Sequence, residues 1–365
     1  LIRVPVQYSA FPTFCHGKNT TKKTAEIMTD KTKVIITASP HVRSPDSTTK
    51  IMWSVVISLL PVIASSIYFF GPSAILVIIA SVAGCLITER MFGSNPGSVA
   101  DGSAMITGLL LGVCLPPGFP LWMAFLGGVF GMGFGKLIYG GLGQNIFNPA
   151  LVGRAFLQAA FPVAITTWPS GTPHWWNLQG DNFALPFMTP MPDTVTAATP
   201  LGNLKFGDDP VATPVLDLML GTINGSVGET SAVLILLGGI YLAIRGHLNW
   251  HIPVSIFVTT FVVSGLFYVI GISQFSPFFM LFSGGLMLGA WYMATDMVTS
   301  PLSNKGCWVF GFGIGLLTVI IRIWGGLPEG VMYSILLMNA LVPFINRITQ
   351  PRLFGTSGKK KEAGK

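Results

Sequence analysis

The chain has 365 residues, 51% of them hydrophobic and only 10% charged, where a soluble domain carries roughly 25% charge. Its mean hydropathy of +0.65 excludes an ordinary soluble enzyme. The formal charge of +7 is spread over the edges of apolar blocks and the terminal run Lys359, Lys360, Lys361 and Lys365, which excludes a nucleic-acid partner and fits membrane topology instead.

Residues 1–27 are polar and aperiodic, and Met28 opens a lysine-bearing run to Lys33. Two readings stand: Met28 is the natural start and 1–27 a non-native extension, or the stretch is a genuine polar tail. Nothing there has the basic start and apolar core of a signal peptide. The cysteines Cys15, Cys85, Cys114 and Cys307 stand far apart, without the Cys-x-x-Cys spacing that holds zinc or an iron–sulfur cluster, so any metal centre is expected on a partner chain. From residue 51 onward the apolar blocks reach the length a helix needs to cross about 30 Å of hydrocarbon. The spacing predicts an all-α integral membrane protein with about ten spans, near 51–70, 73–89, 102–116, 120–140, 149–167, 230–245, 252–272, 277–295, 307–324 and 330–348. Open strands cannot cross lipid, so each span is read as a helix.

The domain plan follows: a cytoplasmic segment 1–50, a first five-helix half 51–167, a loop 168–229, a second five-helix half 230–348 and a basic tail 349–365. An N-terminus in the cytoplasm puts Arg43, Lys50, Arg90, Lys136, Arg154, Arg245, Lys305, Arg347 and the terminal lysines inside or at the inner face. Only Lys205 and Arg322, out of 21 basic residues, then fall outside, together with the acids Asp181, Asp193, Asp208, Asp209, Asp217, Glu229 and Glu329. The opposite orientation would invert the positive-inside rule. Both termini are therefore expected in the cytoplasm, and the loop, with Trp168, Trp175 and Trp176, outside it. A connection of that length is usually functional.

An odd number of spans per half requires any repeat to be inverted in the membrane. Gly102-Ser-Ala-Met-Ile-Thr-Gly108 and Gly289-Ala-Trp-Tyr-Met-Ala-Thr-Asp296 both set small residues beside a carboxylate at a span end. Inverted halves commonly hold a site at their interface, on broken helices.

Inside the loop stands Asp193-Thr-Val-Thr196-Ala197-Ala198-Thr199-Pro200. The pattern Asp-x-x-(Ser/Thr)-(Gly/Ala)-Ala-Thr resembles the recognition site of the flavin transferase that moves FMN from FAD onto a threonine hydroxyl. Thr199 is then the acceptor, small alanines let the backbone enter an enzyme cleft, and Pro200 holds the chain extended. The orientation deduced from charge puts this loop on the side where that transferase works.

The wider chain, from about Ser39 to Phe354, resembles the NqrB/RnfD family, and within it the RnfD type. The resemblance is carried by Ser39-Pro-His-Val-Arg43 with Ser47-Thr-Thr-Lys-Ile-Met52, by Asp101-Gly-Ser-Ala-Met-Ile-Thr-Gly108, and by Gly141-Leu-Gly-Gln-Asn-Ile-Phe-Asn148-Pro-Ala-Leu-Val-Gly-Arg154-Ala-Phe. The flavin motif, Gly225-Ser-Val-Gly-Glu-Thr-Ser231 and Met293-Ala-Thr-Asp-Met-Val-Thr-Ser-Pro301 complete it. The chain departs from the pattern in its N-terminal extension and in Met297, where a proline is expected.

The resemblance implies a subunit of a translocase in the bacterial inner membrane. Electrons between ferredoxin and NAD would pass through covalent FMN here, and through the flavins and iron–sulfur centres of partner subunits, driving Na⁺ or H⁺ across. It also implies riboflavin held without a covalent bond, expected near Asn145, Asn148 and Arg154. Asn148-Pro149 is a good helix start, and the bland alternative is a plain surface cap with Arg154 snorkelling to lipid phosphates. Asp101 and Asp296, at inner span ends, and Glu229 are ion-path candidates, although Glu229 also suits a cap on the sixth span. His247 and His251, four residues apart, could share a ligand, but Trp250 between them suggests interface anchoring. Two other functions fit the pattern: an NqrB-type subunit of a Na⁺-translocating NADH:quinone reductase, and a secondary transporter or channel, which shares inverted halves and small-residue helix faces.

Overall fold

The computed structural model describes residues 46–93, 98–168, 178, 180–186, 199–206, 213–221, 223, 225–228 and 231–351. The expectations for Met28, Arg43, Cys15, the tryptophans Trp175 and Trp176, Asp193, Thr196, Ala197, Ala198, Glu229 and the terminal lysines lie outside these residues. The unit spanning Thr48–Lys365 is built of helices and their connections, with no strand among the described residues.

Eleven of the helices among the described residues position the site. The first group is α1 (Thr48–Phe70), α2 (Pro72–Phe92), α3 (Ser103–Val113), α4 (Leu121–Met132, running into a π-helical turn Gly133–Leu137) and α5 (Pro149–Ala160). The connection after α5 contributes α6 (Pro200–Phe206). The second group is α7 (Ala232–Ile244), α8 (His251–Val269), α9 (Pro277–Phe282), α10 (Asn304–Trp324) and α11 (Val331–Thr349). Between α9 and α10 a single helical turn, Leu286–Leu288, continues into a second π-helical turn, Gly289–Met293.

The sequence dictates most of the ends. Pro72 opens α2 directly after Gly71, whose φ of 69° only glycine adopts freely. Asn148 caps α5 by accepting from Ala150 N–H, with Pro149 at the first helical position, as expected. Ser231 caps α7 by accepting from Leu234 N–H. Ser276 and Ser303 do the same for α9 and α10.

Among the described residues five helices, α1, α2, α8, α10 and α11, are long and apolar enough to cross a bilayer. The segments expected as full spans near 102–116, 149–167, 230–245 and 277–295 are shorter or broken. In the last of these Ser283-Gly284-Gly285 interrupts the helix, with Gly284 at φ 64°. Apolar length counts residues in a block; it does not reveal where a glycine pair lets the backbone stop.

Lipid supplies no hydrophobic drive between helices, so close packing of small residues holds them. A Cβ on Gly128 of α4 would stand 2.5 Å from Ser81 O of α2, and one on Gly84 would strike Phe125 O. In the second group Gly311 and Gly315 of α10 press on Ile252 O and Ile256 O of α8, at 2.8 and 3.0 Å from an added Cβ. Neighbour relations recur: α2 packs on α4 and α3, and α4 on α5; likewise α8 packs on α10 and α9, and α10 on α11. The groups meet where α1 lies on α7 and α5 on α11. Tyr292 Oη donates to Ser58 O (3.2 Å) and Asn148 Nδ2 to Met293 O (3.0 Å), stitching the second π-turn to the first group.

Candidate functional site

Polar chemistry gathers at two levels of the bundle. At the end expected to face the cytoplasm, a cavity of about 100 Å³ lies between α1, α3, the first π-turn, the 138–148 connection and the second π-turn. Apolar walls such as Leu110, Leu242 and Trp291 surround the polar groups of Thr107, Lys136, Asn145, Asn148, His247 and Asp296. Asn145 and Asp296, predicted separately from the sequence, are here together: Asn145 Nδ2 donates to Asp296 Oδ2 at 3.4 Å. Val298 N–H and Thr299 Oγ1 donate to the same carboxylate, each at 3.3 Å. Burial nevertheless outweighs these donors and raises the Asp296 pKa above its ordinary value.

From Lys136 and Ser103 in this wall runs a chain of charge that sequence reasoning missed. Lys136, 3% exposed, pairs with Glu89, 2% exposed. The same ammonium donates to Ser103 Oγ at 2.5 Å, and Ser103 donates through both its N–H (2.8 Å) and its Oγ (2.6 Å) to Asp101 Oδ1. Asp101 is thus a capping carboxylate at the start of α3, joined through one hydroxyl to a fully buried ion pair. The available signal was that Glu89 and Lys136 are charges adjoining apolar runs, where an unpaired charge is costly. They looked like span edges because one dimension does not show them facing each other.

His247 is buried in the cavity wall. His251 Nδ1 lies 2.6 Å from Asn249 Oδ1 and its ring stacks on Trp250 at 4.0 Å. The two rings therefore have different surroundings, and interface anchoring suits His251, whose neighbour Trp250 is exposed. No cluster of three or more His, Cys, Asp or Glu able to hold a metal exists among the described residues. Cys85, Cys114 and Cys307 are buried, and the thiols of Cys85 and Cys307 donate to the Gly128 and Pro301 carbonyls.

Arg154 is not part of the cavity. The expectation of an inner-face arginine snorkelling to phosphates is corrected: Arg154 is buried, and its Nη2 donates to Glu329 Oε2 at 2.6 Å, in the α10–α11 connection. The reason is that α5 begins deep in the bundle, at the buried cap Asn148, so a residue one and a half turns along is carried toward the opposite end. Arg322, fully buried, donates to Met280 O and, at 2.8 Å, to Ser283 O, the carbonyls left open where α9 breaks.

Thr199 stands at this second level. It is buried, 6% exposed. Its Oγ1 accepts from Gly202 N–H at 3.1 Å, and its carbonyl accepts from Asn203 N–H at 2.8 Å, making it the cap of α6. Lys205, six residues on, donates to Ile321, Arg322, Gly325 and Leu327 carbonyls at 3.4, 2.7, 2.5 and 3.3 Å. Burial lowers the pKa of that ammonium.

Broken apolar helices packed on glycine, with charges buried in pairs at two levels, define a multi-pass membrane protein with a polar interior. The chain belongs to the NQR2, RnfD, RnfE family, which matches residues 35–355. It is 43% identical over 346 residues, covering 91% of this chain and 99% of the relative, to the D subunit of the proton-translocating ferredoxin:NAD(+) oxidoreductase complex of Clostridium ljungdahlii. It is 40% identical over 333 residues, 90% of this chain and 97% of the relative, to the D subunit of the Na(+)-translocating ferredoxin:NAD(+) oxidoreductase complex of Acetobacterium woodii. Against the D subunit of the ion-translocating oxidoreductase complex of Stutzerimonas stutzeri the identity is 39% over 343 residues, 86% of this chain and 94% of the relative.

Proposed function

We propose that this chain is the D-type membrane subunit of an ion-translocating ferredoxin:NAD⁺ oxidoreductase, working with flavin and iron–sulfur subunits and carrying FMN on Thr199. The observation that carries the reading is the likeness to such subunits over nine-tenths of the chain. The two relatives are named for different coupling ions, H⁺ and Na⁺, so the shared activity is the movement of a small cation.

Thr199 suits the cofactor. Its hydroxyl is the oxygen that the motif offers to the flavin phosphate, and Lys205 and Leu201 fasten the helix that follows it to the bundle. When bound, the flavin supplies the redox chemistry and the protein supplies position and electrostatics. Asp193, Thr196, Ala197 and Ala198 are the recognition motif for the transferase. The enclosure of Thr199 implies that the transferase acts before α6 docks, or on a form with α6 released.

Riboflavin is assigned to the other level, against Asn145, Asn148 and Trp291, whose Nε1 lacks a hydrogen-bond partner among the described residues. Ligand pockets are typically about 300–1,000 Å³, so the ring enters only if the 138–148 connection moves aside. Gly140, Gly141 and Gly143, all at positive φ, make that connection deformable. Arg154 is withdrawn from this site. Asp296 and the Glu89–Lys136–Ser103–Asp101 chain hold the exchangeable charge for ion movement at the same end.

Ten crossings in two inverted halves, with cytoplasmic termini in a bacterial inner membrane and α6 outside it, accommodate the recurring neighbour relations and the short or broken helices. Intact-mass measurement of the purified chain tests the cofactor directly. The expected product is yellow, heavier by one flavin mononucleotide phosphoryl group and free of iron; a colourless chain of unmodified mass overturns the reading and leaves a transporter or channel.

A further inference from the structure

We propose that Lys205 is a positioning residue, the fastening that fixes the Thr199-bearing helix to the rigid bundle and thereby sets where the attached flavin can move. The proposal rests on the reading that Thr199 carries the flavin.

The argument begins with length. α6 has seven residues, and helices shorter than about 12 residues are marginal in water on their own, so its position depends on what it docks against. Two side chains one turn apart make that contact, on a single helix face. Leu201, 2% exposed, enters an apolar cluster with Leu218, Phe275, Phe279, Met280 and Val319. Lys205 meets the C-terminal end of α10.

A helix end leaves its last four carbonyls without intrahelical partners and carries partial negative charge. Lys205 Nζ lies within hydrogen-bond reach of four carbonyls, those of Ile321 and Arg322 in the last turn of this 21-residue helix and those of Gly325 and Leu327 in the connection that follows it. Arg322 extends the tie: its carbonyl receives Lys205, while its guanidinium holds Met280 O and Ser283 O at the break after α9. α6, α9 and α10 thus share one knot of backbone carbonyls and two cations. Thr199 caps the far end of α6, about 9 Å from Lys205 at 1.5 Å per residue, and motion at Lys205 is transmitted to it.

The test uses the flavinylated full-length chain in lipid nanodiscs, free of partner subunits and washed free of non-covalent riboflavin, so that only the attached flavin fluoresces. Lys205→Met removes the donors and keeps the stem, Lys205→Gln keeps a neutral donor, and Lys205→Arg restores a cation. Flavin fluorescence anisotropy should fall for Met and Gln and return toward the unsubstituted value for Arg, with covalent flavin present in a denaturing gel in all four. A merely structural role would lower thermal stability in Met and Gln without changing the anisotropy below the transition, and that result overturns the proposal. Absence of gel fluorescence in the unsubstituted chain would instead overturn the Thr199 reading, so the two failures are separate.

Discussion

Thr199 does two jobs that its substitutions separate. Thr199→Val removes both the nucleophilic oxygen and the cap on Gly202 N–H, so covalent flavin should vanish from a denaturing gel and stability should drop by about 1 kcal/mol, the usual cost of a lost cap. Thr199→Ser should keep both, and flavin persisting in the valine variant would move the attachment site. The Glu89–Lys136 pair is a different kind of residue-level commitment. Taking away one partner leaves an uncompensated buried charge, which costs about 3–5 kcal/mol. Glu89→Gln should therefore lower the unfolding midpoint sharply, and Glu89→Gln with Lys136→Met should recover much of the loss. Asp296 gives a pH signature. Its raised pKa means that between its unfolded and folded values the folded state binds more protons, so stability falls as pH rises through that window. Asp296→Asn, neutral at every pH, should abolish that part of the decline in a thermal melt measured across pH.

Helix pairs are the next scale, and glycine sets their separation. The α2–α4 contact closes at Gly84 and Gly128, and the α8–α10 contact at Gly311 and Gly315. At Gly84 and Gly128 the nearest obstacle to a larger residue is a backbone carbonyl, and at Gly311 and Gly315 it is the Cβ of Ser255 and of Thr259 with a backbone carbonyl beside it, none of which can rotate away. Gly128→Ala and Gly311→Ala should each destabilise by roughly 1–3 kcal/mol, the range for overpacked interiors, read as a loss of folded protein on heating in detergent. Gly326, with nothing near an added Cβ, should tolerate alanine and serves as the control. The broken helices depend on side chains rather than on close approach: Arg322 satisfies the carbonyls at the α9 break, and Asn148 ties α5 to the second π-turn. Those breaks are the departures from the ten uniform spans that hydropathy suggests.

At the scale of the molecule, the positive-inside rule and the bundle make a joint prediction. A reporter inserted at Gly246, an open position at φ 71°, should behave as cytoplasmic, and one at Gly326 as extracytoplasmic; both on one side would break the topology. Composition alone determined that the chain lives in lipid, because a tenth of charged residues cannot cover a soluble surface. Ordered motifs determined the family, and local chemistry determined the Asn148–Pro149 helix start, since a cap and its proline are adjacent in sequence. The partnerships were decided by tertiary structure: Lys136 with Glu89, 47 residues apart, Asn145 with Asp296, and Arg154 with Glu329 rather than with lipid phosphate. The enclosure of Thr199 and the anchoring of Lys205 belong to the same group. A polar side chain buried away from water must find its partner wherever the fold brings one, and for these residues the partner lies on another helix, at a separation that no local pattern in the chain encodes.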